Sequence, residues 1–474
     1  MTILPLNPTE NASPEALRGF LAQCAEAARL AGRPQLVSIS VAVDSLDPLA
    51  VLESIFEPHE LHFYAERPAQ GFAVAGAETA LEFTADGPGR FAAAQAFIAR
   101  VLADTIAVGP LAEPFAGPHF FLTAGFSPEA APDAAFPALR LFVPRWQVSR
   151  LGDGSVAVAN FLLAPEAPLD LITAKVWKAH AKFRSFDYSA AKRKDRPSAP
   201  RRREEIGGTG CYQRAVTSAL AAIDRGDYGK IVLARAQRLT TAEPFHPLGV
   251  LNHLRQHYPG CYAFSVANGR GQSFIGATPE RLVRVAGGRL HTEALAGSAP
   301  RGRSASEDAA LARALLHDDK ELREHRFVLG SIATRLSGLG LSLEHAAAPR
   351  LLGLANVQHL HTPVSATLPS GVHILDLVAR LHPTPAVGGT PHEAAVAAIP
   401  RLEPFARGLY AGVLGWVDHR GGGEFFVGLR SALIDGCTAT AYAGAGIVAG
   451  SVPENEFAET ELKFQALINA LTES

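Results

Sequence analysis

The chain has 474 residues, 47% hydrophobic and 19% charged, which is enough apolar material for a large core and excludes a disordered protein. Its 44 basic and 46 acidic residues leave a formal net charge of −2, so there is no sign of a nucleic-acid-binding surface. Four widely spaced cysteines and the lack of a long apolar run or a basic leader predict a cytoplasmic protein with reduced thiols and no membrane contact.

The first half of the chain is predicted to be scaffold. Ser13 as an N-cap and Pro14 at the first helical position begin a helix, and Gly32 ends it. Short strands broken by glycine and proline follow, with one helix at 89–106 between them; the strands are at 36–43, 60–65, 119–126, 139–148 and 155–163. No motif here indicates chemistry, and residues 1–205 are interpreted as the scaffold part of the fold.

A basic stretch from Lys192 to Arg203, which contains Pro197 and Pro200, is predicted to be an exposed linker. Residues 206–474 then form the predicted catalytic region. It starts with an amphipathic helix that ends at Gly226, and strands are predicted at 230–239, 262–266, 273–277, 281–286, 424–434 and 437–443. Asp435-Gly436 between the last two is a strong hairpin signal. The whole pattern predicts an α+β fold with a large, largely antiparallel sheet flanked by helices.

Two pairs of glutamates in the second half are the main chemical signal. Glu321 and Glu324 are three residues apart, as are Glu456 and Glu459, so a helix would project each pair from one face. Such pairs are usually solvated surface. The first pair, however, runs into the apolar stretch 327–332, which predicts partial burial. Four converging carboxylates would suit a hard cation such as Mg²⁺.

Single residues leave alternatives open. Lys230 opens an apolar strand and is either solvated or a desolvated general base. Glu280 in a Thr-Pro-Glu corner is either a plain turn residue or a carboxyl group with a raised pKa that acts as a general acid. His359 and His361 would share a strand face, but a zinc pair lacks a third ligand nearby.

Taken in order, the motifs of residues 212–471 resemble the chorismate-utilising enzymes, the family of anthranilate, aminodeoxychorismate, isochorismate and salicylate synthases. The matching segments are Lys230-Ile231-Val232-Leu233-Ala234-Arg235, Gly276-Ala277-Thr278-Pro279-Glu280, Ala296-Gly297-Ser298, Glu321 with Glu324-His325, Val357-Gln358-His359-Leu360, His382-Pro383-Thr384-Pro385-Ala386 and Gly444-Ala445-Gly446, running into Glu456, Glu459 and Lys463.

Three positions point by resemblance to one branch. Lys230 stands where isochorismate and salicylate synthases carry a water-activating lysine. Ala296 replaces the nucleophilic lysine of aminodeoxychorismate synthases, and Ala386 replaces the threonine of the enzymes that eliminate pyruvate. The resemblance therefore implies an isochorismate synthase, with a salicylate synthase as the alternative. Whether the product serves menaquinone, siderophore or salicylate synthesis is left open.

The resemblance also implies a site. Mg²⁺ would be held by Glu321, Glu324, Glu456 and Glu459, Lys230 would be the base, and Glu280 the acid. The substrate, chorismate, would be contacted by Ala296, Gly297, His359, Ala386, Tyr410, Arg430, Gly444, Gly446 and Lys463. Val452 departs from the family, where aspartate is common before the proline. A monomer is expected.

Overall fold

The computed structural model describes residues 2–3, 13–184, 202–353 and 357–473. These residues form 11 α-helices: α1 Pro14–Ala31, α2 Pro48–Ile55, α3 Arg90–Ala103, α4 Leu169–Arg184, α5 Cys211–Asp224, α6 Pro247–His257, α7 Ala305–His317, α8 Asp319–Ser337, α9 Ile374–Leu381, α10 His392–Leu402 and α11 Pro453–Glu473. Most of the predicted linker lies outside the described residues.

The strands of the described residues number 22. In chain order they are β1 Thr2–Ile3, β2 Gln35–Val43, β3 Leu61–Arg67, β4 Phe72–Ala85, β5 Ile106–Val108, β6 His119–Ala124, β7 Leu139–Leu151, β8 Gly154–Leu163, β9 Arg202–Glu205, β10 Lys230–Thr240, β11 Tyr262–Asn268, β12 Gln272–Thr278, β13 Arg281–Ala286, β14 Arg289–Pro300, β15 Glu344–His345, β16 Arg350–Gly353, β17 Val357–Thr367, β18 Gly389–Thr390, β19 Val413–Asp418, β20 Gly423–Val427, β21 Ser431–Asp435 and β22 Thr438–Val448.

The strands pair into one large, branched and largely antiparallel sheet. In the described ranges the parallel pairs are β1 with β5 and β2 with β5, at the edge of the N-terminal half. The two halves of the chain share this sheet, because β3 pairs with β11 and β6 pairs with β19. The predicted α+β fold with a largely antiparallel sheet is confirmed. The division into scaffold and catalytic region stays a prediction about roles.

Helices cover the sheet where the sequence has apolar stripes. Ser13 accepts a hydrogen bond from the Ala16 N–H and Gly32 closes α1 with φ 65°, as predicted. Helices α5, α9 and α10 pack over the largest apolar cluster, whereas α6 and α11 pack over a second one. Helix α8 buries Val328 and Ile332 against the sheet. The predicted partial burial of this helix is confirmed, although Phe327, at the start of the apolar run, is 67% exposed.

The predicted single strand at 424–434 is also wrong. The chain forms two strands, β20 and β21, which are separated by residues 428–430. Arg430 sits in the left-handed region with φ 47°, a backbone conformation that ends a ladder and that non-glycine residues rarely adopt. This break brings a charged residue to the same end of the sheet as the start of β10.

Candidate active site

Lys230 is the first residue of β10. It pairs with Val448 of β22 on one side and with Thr390 of β18 on the other. It is only 9% exposed. Its Nζ lies 2.5 Å from Oε1 of Glu324 on α8. The structure therefore joins the expected base directly to one of the expected metal ligands, a contact between residues that are far apart in the sequence.

Glu280 follows β12 and precedes β13. Burial of its carboxyl group raises the pKa of Glu280 to about 7; the charge of Glu293 adds to this, while a hydrogen bond from Thr384 and the charge of Lys230 oppose it. The Thr384 hydroxyl donates to Oε1 of Glu280 at 3.2 Å. The structure thus brings Glu280 within electrostatic reach of Lys230, with the carboxyl group able to hold a proton near neutral pH.

The four glutamates come from α8 and α11 as predicted. Glu321 accepts from the Ser298 N–H at 3.0 Å, and Glu459 pairs with Lys463 at 2.7 Å. Burial, and then the neighbouring glutamate of each pair, raise the pKa of Glu321 and of Glu456.

The two helices face each other at this end of the sheet. Lys463 of α11 is among the charges that act on Glu324, and Lys320 of α8 is among those that act on Glu456. The four carboxylates therefore belong to one acidic region between α8 and α11.

The donor chemistry of this region fits a hard cation. Burial and then the neighbouring glutamate raise the pKa of Glu321 and of Glu456, and a divalent cation would offset the repulsion within each pair. The side chains do not yet converge: in the described part of the chain, no three His, Cys, Asp or Glu side chains stand close enough together to hold a metal ion. Two of the four carboxylates are instead held by Lys230 and Lys463.

Two glycines of β22 leave room on the face of the sheet beside Lys230 and Tyr410. A Cβ added to Gly446 would come within 3.1 Å of the Lys230 Cε, and one added to Gly444 within 2.9 Å of the Tyr410 hydroxyl. Tyr410 is 4% exposed and stacks on Tyr442, with ring centroids 5.2 Å apart. Lys463 donates from Nζ to the Gly444 carbonyl at 2.9 Å. These predicted substrate contacts therefore gather around one strand pair.

His359 is near two cations. Burial and then the charges of Arg430 and Lys463 lower the pKa of His359 to about 3, so its imidazole is neutral. Its Nδ1 hydrogen-bonds with the Ser298 hydroxyl at 2.8 Å, and its Nε2 is buried without a protein partner. An unpaired buried nitrogen beside two cations is suited to a polar ligand.

Ala296 and Gly297 lie at a bulge of β14, between Leu295 and Ser298 in the register with β17. Gly297 has φ 81°, and a Cβ there would come within 3.0 Å of the Leu360 side chain. Ala386 is in the turn before β18, two residues after Thr384. Ala296 therefore lies beside α8, since its carbonyl contacts His325, and Ala386 lies close in sequence to Thr384, which contacts Glu280. Neither alanine offers a reactive atom.

Sequence reasoning missed several residues of the site. Thr384 lies in one of the segments that match the family, but the sequence predicts no role for its side chain. His361 was considered with His359 as a zinc pair, but it instead contacts Glu293 at 2.7 Å. Glu403 and Arg407 form a buried ion pair four residues apart, a spacing that the sequence does show. Among the described helices none is long and apolar enough to span a membrane.

Comparison with known proteins extends these observations. The sequence model described as chorismate binding enzyme matches residues 20–472. A Pseudomonas aeruginosa protein named salicylate biosynthesis isochorismate synthase is 37% identical over 461 residues, covering 96% of this chain and 94% of the relative. Isochorismate synthase MenF of Bacillus subtilis is 40% identical over 260 residues, 55% of each protein. The solved structure of the menaquinone-specific isochorismate synthase MenF from Escherichia coli superimposes with a TM-score of 0.77 at 27% identity, covering 95% of this chain and 99% of that one.

Proposed function

This chain belongs to the chorismate binding enzyme family, and we propose that it is an isochorismate synthase that converts chorismate to isochorismate. Water attacks C2 of the ring, the C4 hydroxyl leaves, and the ring double bonds shift. The water consumed is balanced by the water released, so the reaction is an isomerisation. Relatives of this chain that carry the same activity in their names support the proposal.

The observation that carries the proposal is that Lys230 and Glu280 lie within electrostatic reach of each other. The reaction needs a base for the attacking water and an acid for the leaving hydroxyl at the same time. Lys230 is fixed at the start of β10, and its charge acts on Glu280. Burial raises the pKa of Glu280 to about 7, which suits an acid that works near neutral pH.

Binding is proposed to use the cations and glycines of the same end of the sheet. Arg430 offers a planar guanidinium for a substrate carboxylate, and Lys463 offers a point charge. The Tyr410 hydroxyl and the backbone N–H groups of Gly444 and Gly446 are proposed as further contacts of the substrate. Neutral His359 is proposed to line the ring pocket. Ala296 and Ala386 leave space for the ring and for water.

Mg²⁺ is proposed as the cofactor, held by Glu324 and Glu459, with Glu321 and Glu456 directly or through water. Its chemistry would be charge compensation, because a dianion approaching four carboxylates needs an opposing charge. The rest of the reaction is assigned to the protein: the uncharged amine form of Lys230 accepts the proton of water and becomes the ammonium, and Glu280 donates its own proton to the departing hydroxyl.

The test is a product assay. Purified protein is incubated with chorismate and Mg²⁺, and the products are separated by chromatography. We expect isochorismate without pyruvate, and a loss of about 10²–10⁴-fold in kcat for folded Lys230→Ala, because a general base contributes on that order. Undiminished turnover by Lys230→Ala would refute the assignment of the base.

The same assay decides the alternative, a salicylate synthase. The name of the Pseudomonas aeruginosa relative joins isochorismate synthase to salicylate biosynthesis, which is the observation that favours keeping it. Pyruvate and salicylate formed in equal amounts from the start would establish it. Ala386 supports isochorismate as the end product.

We further propose a monomer acting on free chorismate in the cytoplasm, for which size-exclusion chromatography measures the oligomeric state.

A further inference from the structure

Glu280 has a second carboxylate as a neighbour on the adjoining strand. Glu280 directly precedes β13, and Glu293 is in the middle of β14. The two strands pair antiparallel, and the Thr292 hydroxyl donates to the Leu282 carbonyl at 2.7 Å. The side chain of Thr292, the residue before Glu293, therefore contacts the backbone two residues after Glu280.

Glu293 lies among cations and donors. Its Oε2 is 2.7 Å from Nε2 of His361 on β17, and the two side chains are 9% and 6% exposed. Burial alone would raise the pKa of Glu293. The hydrogen bond with His361 and the charges of Arg281 at the start of β13, His361 and Arg67 at the end of β3 outweigh burial and lower it. Glu293 is therefore ionised at neutral pH.

The surroundings of Glu280 raise the pKa of its carboxyl group, whereas those of Glu293 lower it. The groups that act on the Glu280 carboxyl are the hydroxyl of Thr384, the charge of Lys230 on β10 and the charge of Glu293 on β14. Tyr410 is also within electrostatic reach of Glu280, whose charge contributes to raising the pKa of Tyr410. Two neighbouring carboxyl groups whose environments push their pKa values apart mark one as the proton carrier and the other as a fixed charge.

We propose that Glu293 is a positioning residue for the acid step: its fixed negative charge, held by His361, keeps the Glu280 carboxyl in the protonated form that the reaction consumes. The inference rests on the proposed function, because it needs Glu280 to be the acid. Glu293 itself neither gains nor loses a proton. Glu280 gives its proton to the leaving hydroxyl and recovers one from water before the next turnover. This assigns a role to His361, which the proposed chemistry leaves unused.

The pH dependence of kcat tests the inference. An acid must be protonated to act, so kcat falls as the pH rises through the pKa of Glu280. Glu293→Gln removes a negative charge, which lowers that pKa. We expect the alkaline limb of the profile to move to lower pH by about one pH unit. A limb that stays within a few tenths of a unit, in a folded and active variant, overturns the inference.

Two further variants make the result specific. Glu293→Asp keeps the charge, so its alkaline limb should stay close to that of the unmodified protein even if Glu293→Gln fails to fold. A limb displaced by a unit or more in Glu293→Asp would show that charge is not the cause. Glu344→Gln is the matched control, because Glu344 is an exposed glutamate on β15 that pairs with Arg289, and its profile should be unchanged. If the unmodified protein forms no isochorismate, the proposed function fails before this inference is tested.

Discussion

The hydroxyl group of Thr384 forms a hydrogen bond with the carboxyl group of Glu280, the proposed acid. Thr384 Oγ1 donates to Oε1 of Glu280 at 3.2 Å, and this hydrogen bond stabilises the ionised carboxylate more than the protonated acid. Thr384 therefore opposes the effect of burial on the pKa of Glu280. The two residues lie on segments that are distant in the sequence, and only the turn after His382 brings them together.

Thr384→Val should raise the pKa of Glu280, because a donor to the carboxylate is lost. The alkaline limb of the kcat profile should then move to higher pH by about half a unit to one unit, the equivalent of one hydrogen bond. Thr384→Ser keeps a hydroxyl group and should retain the original profile. A limb that moves to lower pH, or that moves equally in both variants, would contradict the assigned role of Thr384.

At the scale of elements, helices α8 and α11 matter because they bring two acidic faces to one end of the sheet. Asp318 caps α8 by accepting from the N–H groups of Lys320 and Glu321, which fixes the first turn, where Glu321 lies. Helix α11 follows β22 after a short turn, so the strand that carries Gly444 and Gly446 leads directly into the second pair.

This arrangement predicts a metal requirement that depends on α11. Chelation should abolish turnover, and added Mg²⁺ should restore it. Glu459→Gln should raise the Mg²⁺ concentration for half-maximal rate by about tenfold or more, since even partners of metal ligands have effects of that size. Glu454→Gln, on an exposed position of the same helix, is the control. Turnover that survives chelation would remove the cation from the proposal.

At the scale of the whole molecule, one buried ion pair connects segments of the site that the sequence separates. Arg407 donates from its guanidinium to Glu403 at 2.5 Å, to the Val232 carbonyl at 2.7 Å and to the Val387 carbonyl at 2.8 Å. Glu403 also accepts from the Ala234 N–H at 2.7 Å. The pair therefore joins β10 to the turn that carries Ala386.

Arg407→Met should lower the free energy of unfolding by about 3–5 kcal/mol, because it leaves the Glu403 carboxylate buried without its partner. The double variant Glu403→Leu with Arg407→Met should recover part of that loss. Denaturant unfolding measures both, with the exposed Arg401→Met as control. A double variant whose free energy of unfolding is lower than that of Arg407→Met would contradict this account.

The sequence predicted what local signals determine. Ser13, Gly32 and Asp435-Gly436 define a helix start, a helix end and a hairpin within a few residues, and the structure has all three. Strand β4 was missed because its alternation is broken by Glu78, which has φ 57°, and by a shift of register after Thr79.

Contacts between residues that are distant in the chain have no comparable signal in the sequence. The pairs Lys230 with Glu324 and Glu293 with His361 join residues 94 and 68 positions apart, so neither could be read from spacing. The family resemblance implies that Lys230, Glu280 and the acidic pairs belong to one site. It did not indicate the second carboxylate beside the acid or the hydroxyl group that holds it.

The most direct test of the central claim, water attack at C2 between a base and an acid, is turnover of chorismate in H₂¹⁸O followed by mass spectrometry of the isochorismate. The account predicts one atom of ¹⁸O in the product, at the C2 hydroxyl, because the oxygen comes from solvent and the original C4 hydroxyl is released. Isochorismate without ¹⁸O would mean that the hydroxyl migrates within the substrate, and would contradict the roles assigned to Lys230 and Glu280.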